Sequence, residues 1–289
     1  MQVKTGARGQ GQEARDGKGV PPLLAVIAGM GKLPAALATE AKKMGYRVTG
    51  IALQPPADES LSACVDDFHK ISIGRFGGLI SLLRKLSVRD AVMAGKVPKG
   101  LLYRHRIVPD IKAVRLLFSL RDRSDDTIMN AVVEELEKHG IKIHKTTEFT
   151  GNLLAPEGVV THKKPSRDEL KDIEFGWRIA KEMGRLDIGQ TVVIKDMAVM
   201  AVEAIEGTDE AIKRGGGLAG KDAVVVKVSK PDQDMRFDVP VVGTDTLHSM
   251  KGAGAKALAV EAGKCIIVDK EMFIKEADRM GIVVVGVKK

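Results

Sequence analysis

The feature that most constrains this chain lies near its start. Leu23-Leu-Ala-Val-Ile-Ala28 is a short, wholly apolar run of the kind buried on both faces of a sheet, and Gly29-Met-Gly-Lys-Leu-Pro34 turns out of it. A helical run from Ala35 to Met44 follows, with Pro34 suited to a first helical turn. Gly45-Tyr46 ends it, and Arg47 to Leu53 reads as the next strand, which makes a βαβ unit. Such a unit demands a parallel neighbour and helices covering the sheet.

The alternation continues. Strand near Phe68 to Ile73, helix near Phe76 to Leu86 and strand Ala91 to Ala94 come first. A helical stretch around Ile111 to Leu120, a helix opened by Ser124-Asp-Asp126 and a strand from Ile141 to His144 complete the first half. From Phe149 to Arg167 the apolar periodicity stops and Gly, Pro, Asn and Lys gather, as in a linker or domain edge. Ser166 with Glu169 forms a capping box for a helix ending near Gly184. Strands Thr191 to Ile194 and Ala198 to Val202 follow, then a short helix capped by Thr208-Asp209 and a Gly-rich stretch from Gly215 to Gly220. Strand Ala223 to Val228, a loop with Pro231 and Pro240, and a helical stretch around Thr246 lead to strands near Ala257 and Cys265, helix Glu271 to Met280 and strand Ile282 to Val287. The expected fold class is therefore α/β in two domains. A Rossmann-like domain with a mainly parallel sheet occupies 23–148, and a smaller mixed α/β domain occupies 149–289, behind a floppy tail at 1–22.

Composition narrows the function classes. With 46 Lys and Arg against 38 Asp and Glu, the net charge of +8 favours an anionic partner such as a nucleotide, a phosphorylated metabolite, a nucleic acid or an acidic membrane surface. One Trp, two Tyr and seven Phe make a poor stacking platform, and no helix-turn-helix or zinc-finger pattern is present, so nucleic acid is not expected. Two cysteines, Cys64 and Cys265, carry no zinc or disulfide spacing and suit a reducing cytosol. No apolar run approaches the 18 or so residues of a membrane span, and no signal peptide is expected.

Three groups of residues permit chemistry. Gly29, Gly31 and Lys32 sit between a first strand and a helix, where free N–H groups favour negative charge; a tight turn needing no ligand reads equally well. Gly95, Lys96 and the basic segment from Lys99 to Arg106 follow a later strand on the edge where open α/β sheets bind ligands, or form a solvated loop. In the second half Asp187, Glu203, Glu206, Asp209 and Asp238 lie at element ends, where carboxylates can bind a hard cation such as Mg²⁺. Surface acids at turns are the ordinary explanation, and an ion pair with Arg185 is the ordinary one for Asp187. The six histidines have no ligand spacing, and neither a Walker lysine nor a Gly-x-Ser-x-Gly elbow is found.

Val26-Ile-Ala-Gly-Met-Gly-Lys-Leu-Pro34, Ala94-Gly-Lys-Val97, Ser124-Asp-Asp126, Gly184-Arg-Leu-Asp-Ile-Gly-Gln190, Val202-Glu-Ala-Ile-Glu-Gly-Thr-Asp209, Lys230-Pro with Gln233, and Arg236-Phe-Asp-Val-Pro240 share one order. In that order the chain resembles the two-domain UDP-2,3-diacylglucosamine pyrophosphatases of lipid A biosynthesis, which are unrelated to the calcineurin-like enzymes of the same step. The resemblance implies hydrolysis of this lipid-linked nucleotide-sugar to UMP and 2,3-diacylglucosamine 1-phosphate (lipid X) in a cleft between the domains. It implies assistance by Mg²⁺ or another divalent cation, with water attacking the sugar-side phosphorus. It puts Asp238 at the centre of catalysis, as metal ligand or water activator, with Asp187 and Glu203 as further catalytic candidates and Glu206 as a second metal ligand. Gly29, Gly31, Lys32, Gly95, Lys96, Gln190, Thr208 and Asp209 would contact substrate. The implied location is cytoplasmic, peripheral on the inner face of the inner membrane, with a homodimer left open. Two other readings stay open: a nucleotide-sugar-binding protein without turnover, and a nicotinamide-dependent oxidoreductase, which the missing third glycine at Pro34 disfavours.

Overall fold

The computed structural model describes residues 20–55, 57, 59–97, 107–120, 122 and 125–289, with the side chains of Asp125 and Asp126 excepted. The expected tail up to residue 19, Lys99 to Arg106 and the cap at Ser124 lie outside the described residues.

The first half is built on a five-stranded, fully parallel sheet in the order β3-β2-β1-β4-β5, from β1 (Leu23–Ala28), β2 (Arg47–Gln54), β3 (Asp67–Ser72), β4 (Asp90–Ala94) and β5 (Lys142–His144). Alternate residues of β1 enter two cores. Leu24, Val26 and Ala28 pack against Leu33, Leu37 and Ala41 of α1 (Leu33–Lys43). Ala25 and Ile27 pack against Leu79, Ile80 and Leu83 of α2 (Phe76–Lys85) and Val133 and Leu136 of α4 (Asp125–Lys138). That two-sided burial is why β1 is apolar throughout rather than alternating. Between α2 and α4, α3 (Ile111–Ser119) is capped by Asp110, whose Oδ1 accepts from Ala113 N.

The second half carries a six-stranded mixed sheet and is the wider of the two. Its order is β6-β13-β11-β9-β7-β8, from β6 (Gly158–Val159), β7 (Thr191–Lys195), β8 (Ala198–Val202), β9 (Ala223–Lys227), β11 (Ala255–Glu261) and β13 (Val283–Val287). β9, β11 and β13 are parallel; β6 and the β7–β8 hairpin run antiparallel to their neighbours. α5 (Arg167–Arg185), opened by the Ser166–Glu169 capping box, covers one face through Ile173, Trp177 and Ala180. α6 (Thr208–Ala219), α7 (Thr244–Gly252) and α8 (Lys270–Met280) cover the other.

Two local expectations fail. The short helix and Gly-rich stretch are one helix, because α6 runs straight through Gly215-Gly-Gly217. A Cβ at Gly215 would meet Val193 at 2.6 Å and one at Gly216 would meet the Ala253 carbonyl at 2.2 Å, so these glycines let the helix sit close against β7 and α7. Thr208-Asp209 is not the cap either. Gly207, at φ +87°, takes the cap position without a side-chain bond, and Thr208 turns inward to a buried network.

The halves share core. A two-stranded parallel ribbon, β10 (Val241–Val242) with β12 (Ile266–Ile267), belongs by sequence to the second half, yet Ile266 and Val268 are buried in the cluster formed by β1 and α1. Phe237 packs likewise into the cluster under α2 and α4.

Candidate functional site

The carboxyl ends of β1 and β4 form the first half's side of the site. Gly29 N–H donates to Ala94 O at 2.8 Å, Met30 N–H to Lys96 O at 2.8 Å and Lys96 N–H to Met30 O at 3.0 Å, so the two loops are laced together. A Cβ on Gly29 would lie 2.7 Å from Lys96 O, and one on Gly95 would lie 2.6 Å from Met30 O. Each glycine thus makes room for the other loop. Gly31 is required by its φ of +95° and has open space where a Cβ would sit. The start of α1 at Lys32 has no side-chain cap and no acidic residue in its first turn. β2 ends at Gln54 and offers no acid for a dinucleotide ribose.

From this edge two lysines reach the other half. Lys32 Nζ comes within 3.5 Å of Thr244 Oγ1 at the start of α7, and Lys96 Nζ lies 3.7 Å from where a Gly207 Cβ would be, at the start of α6. Neither α6 nor α7 has a side-chain cap. Lys32 thus meets the uncapped start of α7, and Lys96 that of α6, where the two halves come together.

The second half supplies the acids. The loop between β9 and β10 crosses to the first half: Met235 O accepts from Thr146 N at 2.8 Å, and Arg236 donates to Asn130 Oδ1 at 3.2 Å. Arg236 also forks onto Asp234 at 2.6–3.0 Å. Burial works to raise the Asp234 carboxyl, but the guanidinium outweighs it and holds the acid below its usual range. Between these anchors stands Asp238, its side chain 39% exposed. Its Oδ2 accepts from Gln233 Nε2 at 2.7 Å and lies 3.7 Å from Lys230 Nζ, which also binds Asp187 Oδ1 at 2.6 Å. Gln233 is bonded in turn to Gln190 at 3.2 Å. Asp187, Gln190 and Asp238, up to 51 positions apart, thus share one network through Lys230 and Gln233. Asp187 pairs with Lys230 and not with Arg185, which turns outward to Glu182, because Asp187 sits at φ +54° in the turn leaving α5.

Glu203, Thr208 and Asp209 form a second group. Glu203 is 8% exposed; its Oε1 accepts from Thr208 Oγ1 at 2.8 Å, and Thr208 accepts from Lys227 Nζ at 2.6 Å. Glu203 Oε2 and Asp209 Oδ1 are buried without a hydrogen-bond partner. Glu206 stands apart on the surface, paired with Arg214, which holds its carboxyl below the usual range.

Among the described residues no three His, Cys, Asp or Glu side chains gather as a preformed metal cage. A preformed cage is not what Mg²⁺ requires, since it is commonly held by one or two carboxylates together with substrate phosphates and water. Half-exposed Asp238 and the orphaned oxygens of Glu203 and Asp209 are hard donors of the right chemistry, so the residues present fit such an ion.

Sequence reasoning assigned no role to Gln233, Lys230 or Lys227. Lys227 had a readable signal: it ends an all-valine run in a central strand, where a lysine needs partners, and it is 4% exposed beside Thr208 and Thr191.

A family model of the LpxI N-terminal domain matches residues 23–153, and one of the LpxI C-terminal domain matches 156–285. The UDP-2,3-diacylglucosamine pyrophosphatase LpxI of Caulobacter vibrioides is 33% identical over 275 residues, which is 91% of this chain and 97% of that protein. Bifunctional purine biosynthesis proteins PurH of Thermoanaerobacter sp. and Trichormus variabilis are 24% and 26% identical over 80% and 79% of this chain, which spans 45% and 43% of their lengths. With both family domains present in order and a relative matched nearly end to end, the chain belongs to the LpxI family.

Proposed function

We propose that this protein hydrolyses the diphosphate of UDP-2,3-diacylglucosamine, giving UMP and 2,3-diacylglucosamine 1-phosphate in lipid A biosynthesis. The observation that carries the reading is the junction of the halves, where Lys32 and Lys96 meet the uncapped starts of α7 and α6 and where the loop of Asp238 crosses from one half to the other. Breaking a diphosphate requires stabilising charge that builds on the leaving and non-bridging oxygens, and preorganised N–H groups and ammonium ions do this without reorganising. Lys32, Lys96 and the amides around Gly31 and Gly207 hold the diphosphate. Asp238, oriented by Gln233, receives the proton of the attacking water. Water adds to the sugar-side phosphorus, the bridging P–O bond breaks, and UMP leaves. Asp238, Glu203 and Asp209 are the donors that would hold a divalent cation such as Mg²⁺, and the ion would supply further charge neutralisation.

The membrane part of the reading rests on α3. Its inner residues Ala113 and Leu116 join the cluster that also receives Phe237, the neighbour of Asp238, while Ile111 and Phe118 face outward at 73% and 85% exposure beside the exposed Arg115. An apolar and basic outer face next to the site suits peripheral contact with an anionic inner-membrane surface that carries the substrate.

The direct test is incubation with UDP-2,3-diacylglucosamine and Mg²⁺, followed by detection of UMP. The wild-type protein is expected to release it, to stop on chelation and to resume when Mg²⁺ is returned. Asp238→Ala is expected to lose about a hundredfold or more in kcat with its melting temperature kept. Substrate bound but unchanged by the wild-type protein points instead to a binding protein without turnover, and a wild-type rate in Asp238→Ala removes that residue from the mechanism.

A further inference from the structure

Asp238 is held by a neighbour whose own side chain is fully engaged. Gln233 precedes it by five positions in the crossing loop. Its Nε2 donates to Asp238 Oδ2 at 2.7 Å and to Gln190 Oε1 at 3.2 Å, while its Oε1 accepts from Lys230 N at 2.9 Å. Only one orientation of the amide meets all three partners. Turned over, its oxygen would face two acceptor oxygens and its NH₂ group would face a backbone N–H. Gln190 is itself anchored, since its carbonyl accepts from Val228 N at 2.9 Å just beyond β9. A chain of bonds therefore runs from the end of a central strand through two glutamines to the acid.

We propose that Gln233 is a positioning residue for hydrolysis: it fixes the Asp238 carboxylate in one orientation through Oδ2 and leaves Oδ1 for water or cation. The inference rests on the catalytic part given to Asp238 above. The donor is an uncharged amide, so it orients the carboxylate without setting a cation against it. That differs from the role of Lys230, which is shared between Asp187 and Asp238. Of the other charged groups of this loop, Asp234 and Arg236 are paired with each other and Asp232 is exposed.

A purely architectural part for Gln233 would work through its Oε1 and the Lys230 amide. Gln233→Glu separates the two roles, because it keeps an acceptor for Lys230 N, removes the donor to Asp238 and sets a negative charge beside it. The expected result is a fall in kcat of roughly 10–100-fold with little change in KM or melting temperature, a split that a merely structural role would not give. Gln233→Met, close in volume and without polar atoms, is expected to lose kcat similarly with KM kept, and it carries the test if the glutamate variant does not fold.

The possible failures separate cleanly. Absence of UMP from the wild-type reaction overturns the hydrolase reading. An active Asp238→Ala overturns the role of Asp238 and this proposal with it. An inactive Asp238→Ala beside a Gln233 variant with kcat within twofold of wild type overturns the positioning role alone.

Discussion

At the scale of single residues, the buried acids divide by what faces them. Glu261, 4% exposed at the end of β11, accepts from Ser229 N at 2.8 Å and from Lys181 at 2.6 Å, with Lys264 at 2.9 Å. Burial alone would raise its carboxyl, but these donors prevail and hold it below the ordinary glutamate value of 4.5. A depressed acid contributes stability that is complete above the unfolded-state value and lost as the pH falls through the folded one. Glu261→Gln is therefore expected to lower unfolding free energy at neutral pH by about 2–3 kcal/mol. The gap from wild type should narrow as the medium becomes more acidic than the ordinary glutamate value. Urea titrations at neutral pH and at about pH 3 check both statements, and a gap that stays constant with pH refutes the assignment. Cys265 is the opposite case. Full burial pushes its thiol up to about 12, which leaves it inert and accounts for a cysteine with no chemical role.

At the scale of elements, α6 tests whether its glycines are there for space. Gly216→Ala drives a methyl into the Ala253 carbonyl and is expected to cost about 1–3 kcal/mol. Gly217→Ala, one position on, meets nothing within 4 Å and is expected to stabilise by roughly 0.5–1 kcal/mol. Thermal unfolding of the pair checks the opposite signs, and a shared sign removes the packing explanation. The same helix shows where the sequence was legible. The alternation of β1, α1, β2, α2 and β4 was readable because each element is long, two-sided and apolar, so period and length agree. The glycine triplet read as a breaker because propensity is local, whereas the reason for small residues there lies in Val193 and Ala253, 22 and 37 positions from Gly215 and Gly216. The site behaved likewise. Asp238, Asp187 and Gln190 stood out through the resemblance of their motifs, but their meeting depends on the crossing loop, which has no periodicity to read. The parts of Gln233 and Lys230 are visible only in distances.

At the scale of the whole molecule, the two sheets are not separate beads. Ile266 and Val268 fill the first core, and Val239 and Val241 pack beside them. No helix among the described residues is long and apolar enough to cross a membrane; under the proposed reading, contact with a lipid-borne substrate falls to surfaces such as α3. Phe118→Glu removes an outward ring from that helix and adds charge against an anionic surface. It is expected to weaken co-sedimentation with phosphatidylglycerol vesicles about tenfold while leaving turnover of detergent-dispersed substrate unchanged. Wild-type co-sedimentation of the variant refutes the docking face, and a shift from dimer to monomer in sedimentation velocity assigns the face to a second copy instead.

The segment that carries Asp238 is fastened on one bank at Thr146 and Asn130 and on the other, through Lys230 and Gln233, at Asp187 and Gln190. A strap with moorings on both banks cannot follow them if they part. Any swing of one half against the other must break a mooring or tow Asp238 with it, so under the proposed mechanism the acid stands in place only when both banks are seated.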